Sequence, residues 1–241
     1  IKCGHLGNYS FEVQQSRESI IESRLRDLFN QDLLPRDHQE FLHNLDFKPK
    51  VIYDIGSCVM HWTRHALAAF PDSTVICFEA MNEVEFLYKE KKIPLVFGNV
   101  LSDVDNESVE FYCNPMDPGG NSVYKENPDL SPRAEELFPE ESKVRKTTMT
   151  LDTLVNKYQL PRPDLIKMDV QGSELKVLKG AENTLKDCNH LILELQHQNY
   201  NMNAPLKEEV IEYLLSKGFI QVKCITESIL GVDADYYFRR Q

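Results

Sequence analysis

Lys167 and Asp169 stand two residues apart in Leu165-Ile166-Lys167-Met168-Asp169, a run that is otherwise apolar. In an extended strand residues two apart project on one face, and a lysine buried in a sheet needs a carboxylate partner. Burial lowers a lysine pKa and a neighbouring carboxylate raises it, so either member is a candidate proton acceptor. The plain alternative is an ion pair that orients the turn into the next helix. His197 is a further candidate base, since imidazole titrates near neutral pH. It follows Glu194-Leu195-Gln196 at the end of another apolar run, where Glu194 would face a substrate. Its plain alternative is a loop histidine bonded to backbone.

A second group of residues has the spacing of a nucleotide site. Val51-Ile52-Tyr53-Asp54-Ile55-Gly56-Ser57-Cys58 is an apolar run that ends in an acid and a glycine before a helical segment. There the glycine lets backbone approach a ligand, and the helix amino terminus supplies free N–H groups. Glu79 closes the next apolar run, Thr74 to Phe78. That is about 25 residues on, the spacing of an acid that accepts both hydroxyls of a ribose. Gly56 is the one glycine of the turn, so an ordinary strand–turn–helix unit explains it equally well. His61 and His65 lie one helical turn apart without a third ligand at a helpful spacing, and no metal is expected.

These residues must be positioned by the elements around them. From Lys50 onward strands at 51–55, 74–79 and 94–98 alternate with helices at 59–69 and 82–91. Alternation resumes with a helix at 151–159, strand 164–169, helix 172–186, strand 190–196 and helix 205–217. Leu175, Leu178 and Leu185 form an apolar stripe there, and Glu174 complements the helix dipole. Strands 219–225 and 234–239 follow each other without a helix and should pair as an antiparallel hairpin. This is an α/β fold with a mostly parallel, doubly wound, Rossmann-like sheet closed by a carboxyl-terminal antiparallel hairpin. Residues 16–45 read as two helices, with Ile21, Leu25 and Leu28 in the first and Phe41, Leu42 and Leu45 after Pro35 in the second. The division expected is a helical extension or cap over 1–48 and a catalytic domain over 49–241. Between strands at 109–113 and 144–149 a Pro- and Gly-rich loop runs from Asn114 to Ser142, with Pro118-Gly119-Gly120-Asn121-Ser122 at its apex. A loop of that length is a lid or substrate loop, or else a solvated surface excursion.

Composition narrows the function. The 241 residues carry a net charge of −11, which opposes binding to long nucleic acid and favours a small or neutral substrate. No apolar run approaches the ~18 residues of a membrane span. Six cysteines, Cys3, Cys58, Cys77, Cys113, Cys188 and Cys224, are scattered without a C-x-x-C pair. They read as small core residues in a reducing, cytoplasmic compartment, with Cys77, Cys113 and Cys224 inside strand-like runs. Asn8-Tyr9-Ser10 and Asn106-Glu107-Ser108 fit the glycosylation pattern, but without an export signal they read as chance matches. The first residues lack an initiator methionine and a signal peptide, as expected of a domain cut from a larger multidomain chain.

Taken together the motifs resemble the FkbM-type methyltransferases, S-adenosylmethionine-dependent O-methyltransferases with the class I fold. The most specific stretch is Ile166-Lys167-Met168-Asp169-Val170-Gln171-Gly172-Ser173-Glu174-Leu175 with Leu178-Lys179-Gly180-Ala181. Asp54-Ile55-Gly56 with Thr63, Phe78-Glu79, Val100-Leu101-Ser102-Asp103 and Asn121-Ser122 match further segments, and the likeness covers about Lys50 to Leu195. Cys58 and Met60 depart from the family's Asn and Gly, and Ala80 from its Pro.

The resemblance implies that Asp54 and the Gly56-Ser57 backbone hold the methionine portion of S-adenosylmethionine, with Thr63 supporting the turn. It likewise implies that Glu79, beside Ala80, holds the ribose, and that Asn99 and Val100 hold the adenine. Asn121 and Ser122 would help close the site over a small-molecule or glycan acceptor with no metal, and Asp169, Lys167 or His197, in that order, would take the acceptor's proton. Two other readings are a methyltransferase-fold scaffold that has lost its chemistry and a nicotinamide oxidoreductase. The single glycine and the terminal hairpin count against the second.

Overall fold

The computed structural model describes residues 16–241. Cys3 and the Asn8-Tyr9-Ser10 motif lie outside them. Helices α1 (Arg17–Asn30) and α2 (Arg36–His43) precede β1 (Val51–Ile55), α3 (His61–Ala69), β2 (Thr74–Glu79), α4 (Glu85–Lys91) and β3 (Leu95–Phe97). Strands β4 (Val100–Leu101) and β5 (Ser108–Tyr112), the short helix α5 (Ala134–Leu137) and β6 (Lys143–Met149) form the insertion. Helix α6 (Leu151–Tyr158), β7 (Leu165–Met168), α7 (Glu174–Lys179), α8 (Glu182–Asp187), β8 (His190–Gln196), α9 (Lys207–Ser216), β9 (Phe219–Glu227) and β10 (Asp233–Arg240) complete the chain.

Seven strands form one sheet in the order β3-β2-β1-β7-β8-β10-β9. The first five are parallel, and β10 runs antiparallel to both β8 and β9. The chain leaves β1 toward β2 and β3 and returns to β7 on the other side, so the switch point lies between β1 and β7. Ligands bind outside the carboxyl ends of the strands at such a point. This is the class I methyltransferase architecture.

The period of two along each strand divides the core between the faces of the sheet. Tyr53, Ile55, Ile166, Met168, Leu191 and Leu193 pack with Leu151, Leu154, Leu178, Leu185 and Leu214 of α6 to α9. The alternate residues Ile52, Val75, Leu165, Ile192 and Tyr237 pack with Leu25, Leu28, Phe41, Leu42, Trp62 and Leu87 of α1 to α4. Helices α1 and α2 thus share the core of the sheet. The Arg64 guanidinium on α3 fixes the link between them, donating to Phe29 O at 2.7 Å and Gln31 O at 2.6 Å. Ser16 caps α1 by accepting the Ser19 N–H, and Thr150 caps α6 in the same way from Thr153.

Three elements differ from the sequence reading. The helix expected over 172–186 is two, broken at Gly180, where a Cβ would stand 2.0 Å from the Ser102 carbonyl oxygen. This close crossing needs a glycine, and the chain bends to make it. The Asn114–Ser142 segment is ordered: 3-10 turns at Pro118–Gly120 and Glu140–Ser142 flank α5, and Ala134 and Phe138 are buried. It is tied down through Ser122 pairing with Tyr112 and Glu126 with Asn201. Cys224, expected in the core, is exposed because β9 is the edge of the sheet. Among the described residues no helix is long and apolar enough to cross a membrane.

Candidate active site

A cavity of about 560 Å³ opens at the carboxyl ends of β1, β2, β7 and β8. The approach to α2 (Leu33, Leu34, Pro35) covers it on one side and the insertion (Pro118, Asn121, Val123) on the other.

At the β1 end, Asp54 is 1% exposed and accepts the Thr63 hydroxyl through Oδ2, while its Oδ1 has no partner. Burial pushes its pKa up to about 6, against the opposing pull of Lys167 and Thr63. Gly56 has φ +75°, and a Cβ there would stand 1.8 Å from the Asp169 carbonyl oxygen. Only glycine allows the turn after β1 to meet the end of β7 so closely. Glu79 Oε2 accepts the Cys58 N–H at 2.8 Å and Oε1 the Met81 N–H at 2.9 Å, so the acid ending β2 also shapes the turn. Burial raises its pKa. Cys58 (φ 46°) and Met60 (φ 65°) are both left-handed. That is the conformation glycine and asparagine adopt most readily, which accounts for the residues the family prefers there.

At the β7 end, Lys167 Nζ lies 2.8 Å from Asp169 Oδ2, as the strand period requires. The Gln171 amide donates to Asp169 Oδ1 at 2.9 Å and to Glu194 Oε2 at 2.6 Å. Burial opposes the lysine charge, but Asp169, Asp235, Asp54 and Glu194 outweigh it and raise the pKa above the ordinary lysine range. The positive charge of the pair thus sits on Lys167, beside Asp169. Asp169 stays below the ordinary carboxyl range, since Lys167 and the hydrogen bonds it accepts overcome its burial. Glu194 is held well above that range by burial and by the charge of Asp169.

Eleven of the expected site residues border the cavity: Asp54, Gly56, Ser57, Glu79, Ala80, Asn99, Val100, Asn121, Lys167, Asp169 and Glu194. Thr63 acts from behind through Asp54. The Ser122 hydroxyl donates to Gln171 O at 2.7 Å and accepts the Tyr124 N–H at 2.9 Å, which places it outside the cavity as a prop for the Gln171 turn. His197, expected as a candidate base, is also outside the cavity, with the Tyr236 hydroxyl on β10 holding its Nε2 at 2.7 Å. Among the described residues no group of three or more His, Cys, Asp or Glu side chains forms a metal site.

Sequence reasoning missed His38 and Asp235. Both line the cavity, with His38 Nε2 3.0 Å from Asp235 Oδ2 and His38 Nδ1 buried without a partner. One sits on α2 and the other on β10, so no spacing joins them. Glu174 accepts the Val170 N–H at 2.9 Å, and burial lifts its pKa to about 7. Its folded pKa lies above the ordinary value, so stability is lost as pH rises from the ordinary carboxyl range through 7. Glu174→Gln, which keeps an acceptor for Val170, should raise the Tm at pH 8 and lose that advantage at pH 4 in a thermal melt. An unchanged Tm difference at the two pH values would contradict a buried charge.

Residues 53–220 match the model of the methyltransferase FkbM domain. The hexuronic acid methyltransferase AglP of Haloferax volcanii is 26% identical over 197 residues, spanning 79% of this chain and 70% of that protein. The O-methyltransferase of Bacillus cereus, solved with S-adenosylhomocysteine, superposes with a TM-score of 0.51 at 12% identity, covering 95% of this chain and 94% of that one. This last likeness concerns the fold. With its family match extending from within β1 to the start of β9, the chain belongs to the FkbM methyltransferase family.

Proposed function

We propose that the protein is an O-methyltransferase that uses S-adenosylmethionine to methylate a hydroxyl of a sugar or glycan. One observation carries this reading: a single cavity joins the nucleotide end, Asp54, Gly56, Glu79 and Asn99, to a polar wall of Asp169, Gln171 and Glu194. The hexuronic acid named for the Haloferax relative supports a sugar acceptor.

The residues fit the cofactor. Asp54 Oδ1, buried and without a partner, is an acceptor suited to the methionyl ammonium. The Gly56-Ser57 backbone, Glu79 beside Ala80, and Asn99 with Val100 would hold the methionine, ribose and adenine portions. Bound there, S-adenosylmethionine would supply an electrophilic methyl group on a sulfonium, its neutral thioether leaving as the acceptor oxygen takes the methyl. What the chain adds is alignment and desolvation, since near-attack positioning accounts for most of the acceleration in such a transfer. Asp169, kept ionised by Lys167 and oriented by Gln171, accepts the proton of the acceptor hydroxyl. Ser122 keeps Gln171 in place, and Asn121 closes the wall.

The pH dependence of cofactor binding follows from Asp54. Its ionised form attracts the ammonium, so affinity should be flat above its pKa of about 6 and fall tenfold per unit below it. Calorimetry from pH 5 to 8 checks this, and affinity that rises toward pH 5 would exclude the Asp54 contact. The proposed reaction is tested with radiolabelled S-adenosylmethionine and a panel of glycosides. Wild-type protein should form an alkali-stable methyl ether. Asp169→Asn should form none, with cofactor affinity retained. Label in an ester or on nitrogen would overturn the assignment. Turnover that survives Asp169→Asn but not His38→Gln would move the proton to His38.

A further inference from the structure

The far side of the cavity carries more carboxyl groups than the chain balances. Asp169, Glu194, Glu227, Asp233 and Asp235 border it, in addition to Asp54 and Glu79 at the nucleotide end, seven in all. Lys167 is the one lysine or arginine among the described residues that line it. Its ammonium is already engaged by Asp169 at 2.8 Å.

The crowding is built into the sheet. Asp235 on β10 stands directly opposite Glu194 on β8, and Asp233 is two residues from Asp235 on the same face. Like charges directly opposite on antiparallel strands are destabilising. Glu194 is shielded in part by the Gln171 amide and Asp235 by His38. Burial and the neighbouring carboxylates raise the pKa of Asp233 as well as that of Glu194. S-adenosylmethionine does not settle the balance: its ammonium and carboxylate cancel, and its sulfonium adds one positive charge.

We propose that the acceptor is a hydroxyl compound that carries an ammonium group, in the simplest case an amino sugar, and that Asp233 and Asp235, beside Glu194, receive that ammonium. This rests on the reading of the cavity as a methyltransferase site. The same wall rejects a uronic acid, whose carboxylate would enter beside those of Asp169, Asp233 and Asp235. The chain therefore differs in acceptor charge from its hexuronic acid-methylating relative.

The test uses protein saturated with S-adenosylhomocysteine and titrated at low salt, near neutral pH and at millimolar ligand, with the methyl glycosides of glucosamine, glucose and glucuronic acid. Uptake of S-adenosylhomocysteine is measured first, and its absence would overturn the methyltransferase reading itself. With it bound, the glucosaminide should bind at least about tenfold more tightly than the glucoside, and the glucuronide most weakly. Asp233→Asn should reduce the preference for the amine to about threefold or less without weakening S-adenosylhomocysteine. Equal affinities, tighter binding of the glucuronide, no binding of any of the three, or a preference untouched by Asp233→Asn would each overturn the proposal.

Discussion

Lys167→Met should cost about 3–5 kcal/mol of stability, the range observed when one member of a buried ion pair is removed. The side chain is 6% exposed, and methionine keeps much of its volume, so the loss is electrostatic. Asp169 would lose its counter-ion at 2.8 Å, and Asp54, its register partner on β1, would lose the nearest cation. Urea unfolding at pH 8 should show the full cost. At pH 5 it should shrink, because without the ammonium burial lifts the pKa of Asp169 and protonation can then remove the uncompensated charge. The double variant Lys167→Met with Asp169→Asn should recover part of the loss. A cost below about 1 kcal/mol at pH 8 would mean the pair is solvated, contrary to the structure.

Gly56→Ala should remove cofactor binding by about a hundredfold or more and destabilise the fold by about 1–3 kcal/mol. The new Cβ would stand 1.8 Å from the Asp169 carbonyl, at a φ of +75° that alanine resists. Relief requires that the turn after β1 or the end of β7 move, and the two form the floor of the site. Gly119→Ala is the matched control, since a Cβ there meets nothing within 4 Å. It should change stability by no more than about 0.5 kcal/mol. Calorimetry with S-adenosylhomocysteine and denaturant unfolding read both effects, and equal behaviour of the two variants would contradict a steric role for Gly56.

The sheet was legible because its strands are apolar runs that end in acids, and those acids border the cavity. Val51 to Asp54, Thr74 to Glu79 and Leu165 to Asp169 each announce a strand and the edge where the cavity opens. The Lys167–Asp169 contact followed from the strand period alone. Contacts between distant elements were not legible. His38 meets Asp235 only because α2 docks on the sheet beside β10, and Gly180 breaks its helix only because Ser102 crosses there. The placement of Ser122 and His197 outside the cavity was not legible for a related reason. Both lie near the productive edge in sequence, but the side-chain direction that decides between site and support is set by Gln171 in one case and Tyr236 in the other.

The central claim is that Asp54, Gly56 and Glu79 form a working cofactor site despite the left-handed Cys58 and Met60. Calorimetric titration with S-adenosylmethionine and S-adenosylhomocysteine, beside Asp54→Asn, tests it most directly. Micromolar binding, about 8 kcal/mol, weakened at least about tenfold by Asp54→Asn, is the predicted result. No binding to the wild-type protein would contradict the claim and leave a methyltransferase fold without its chemistry.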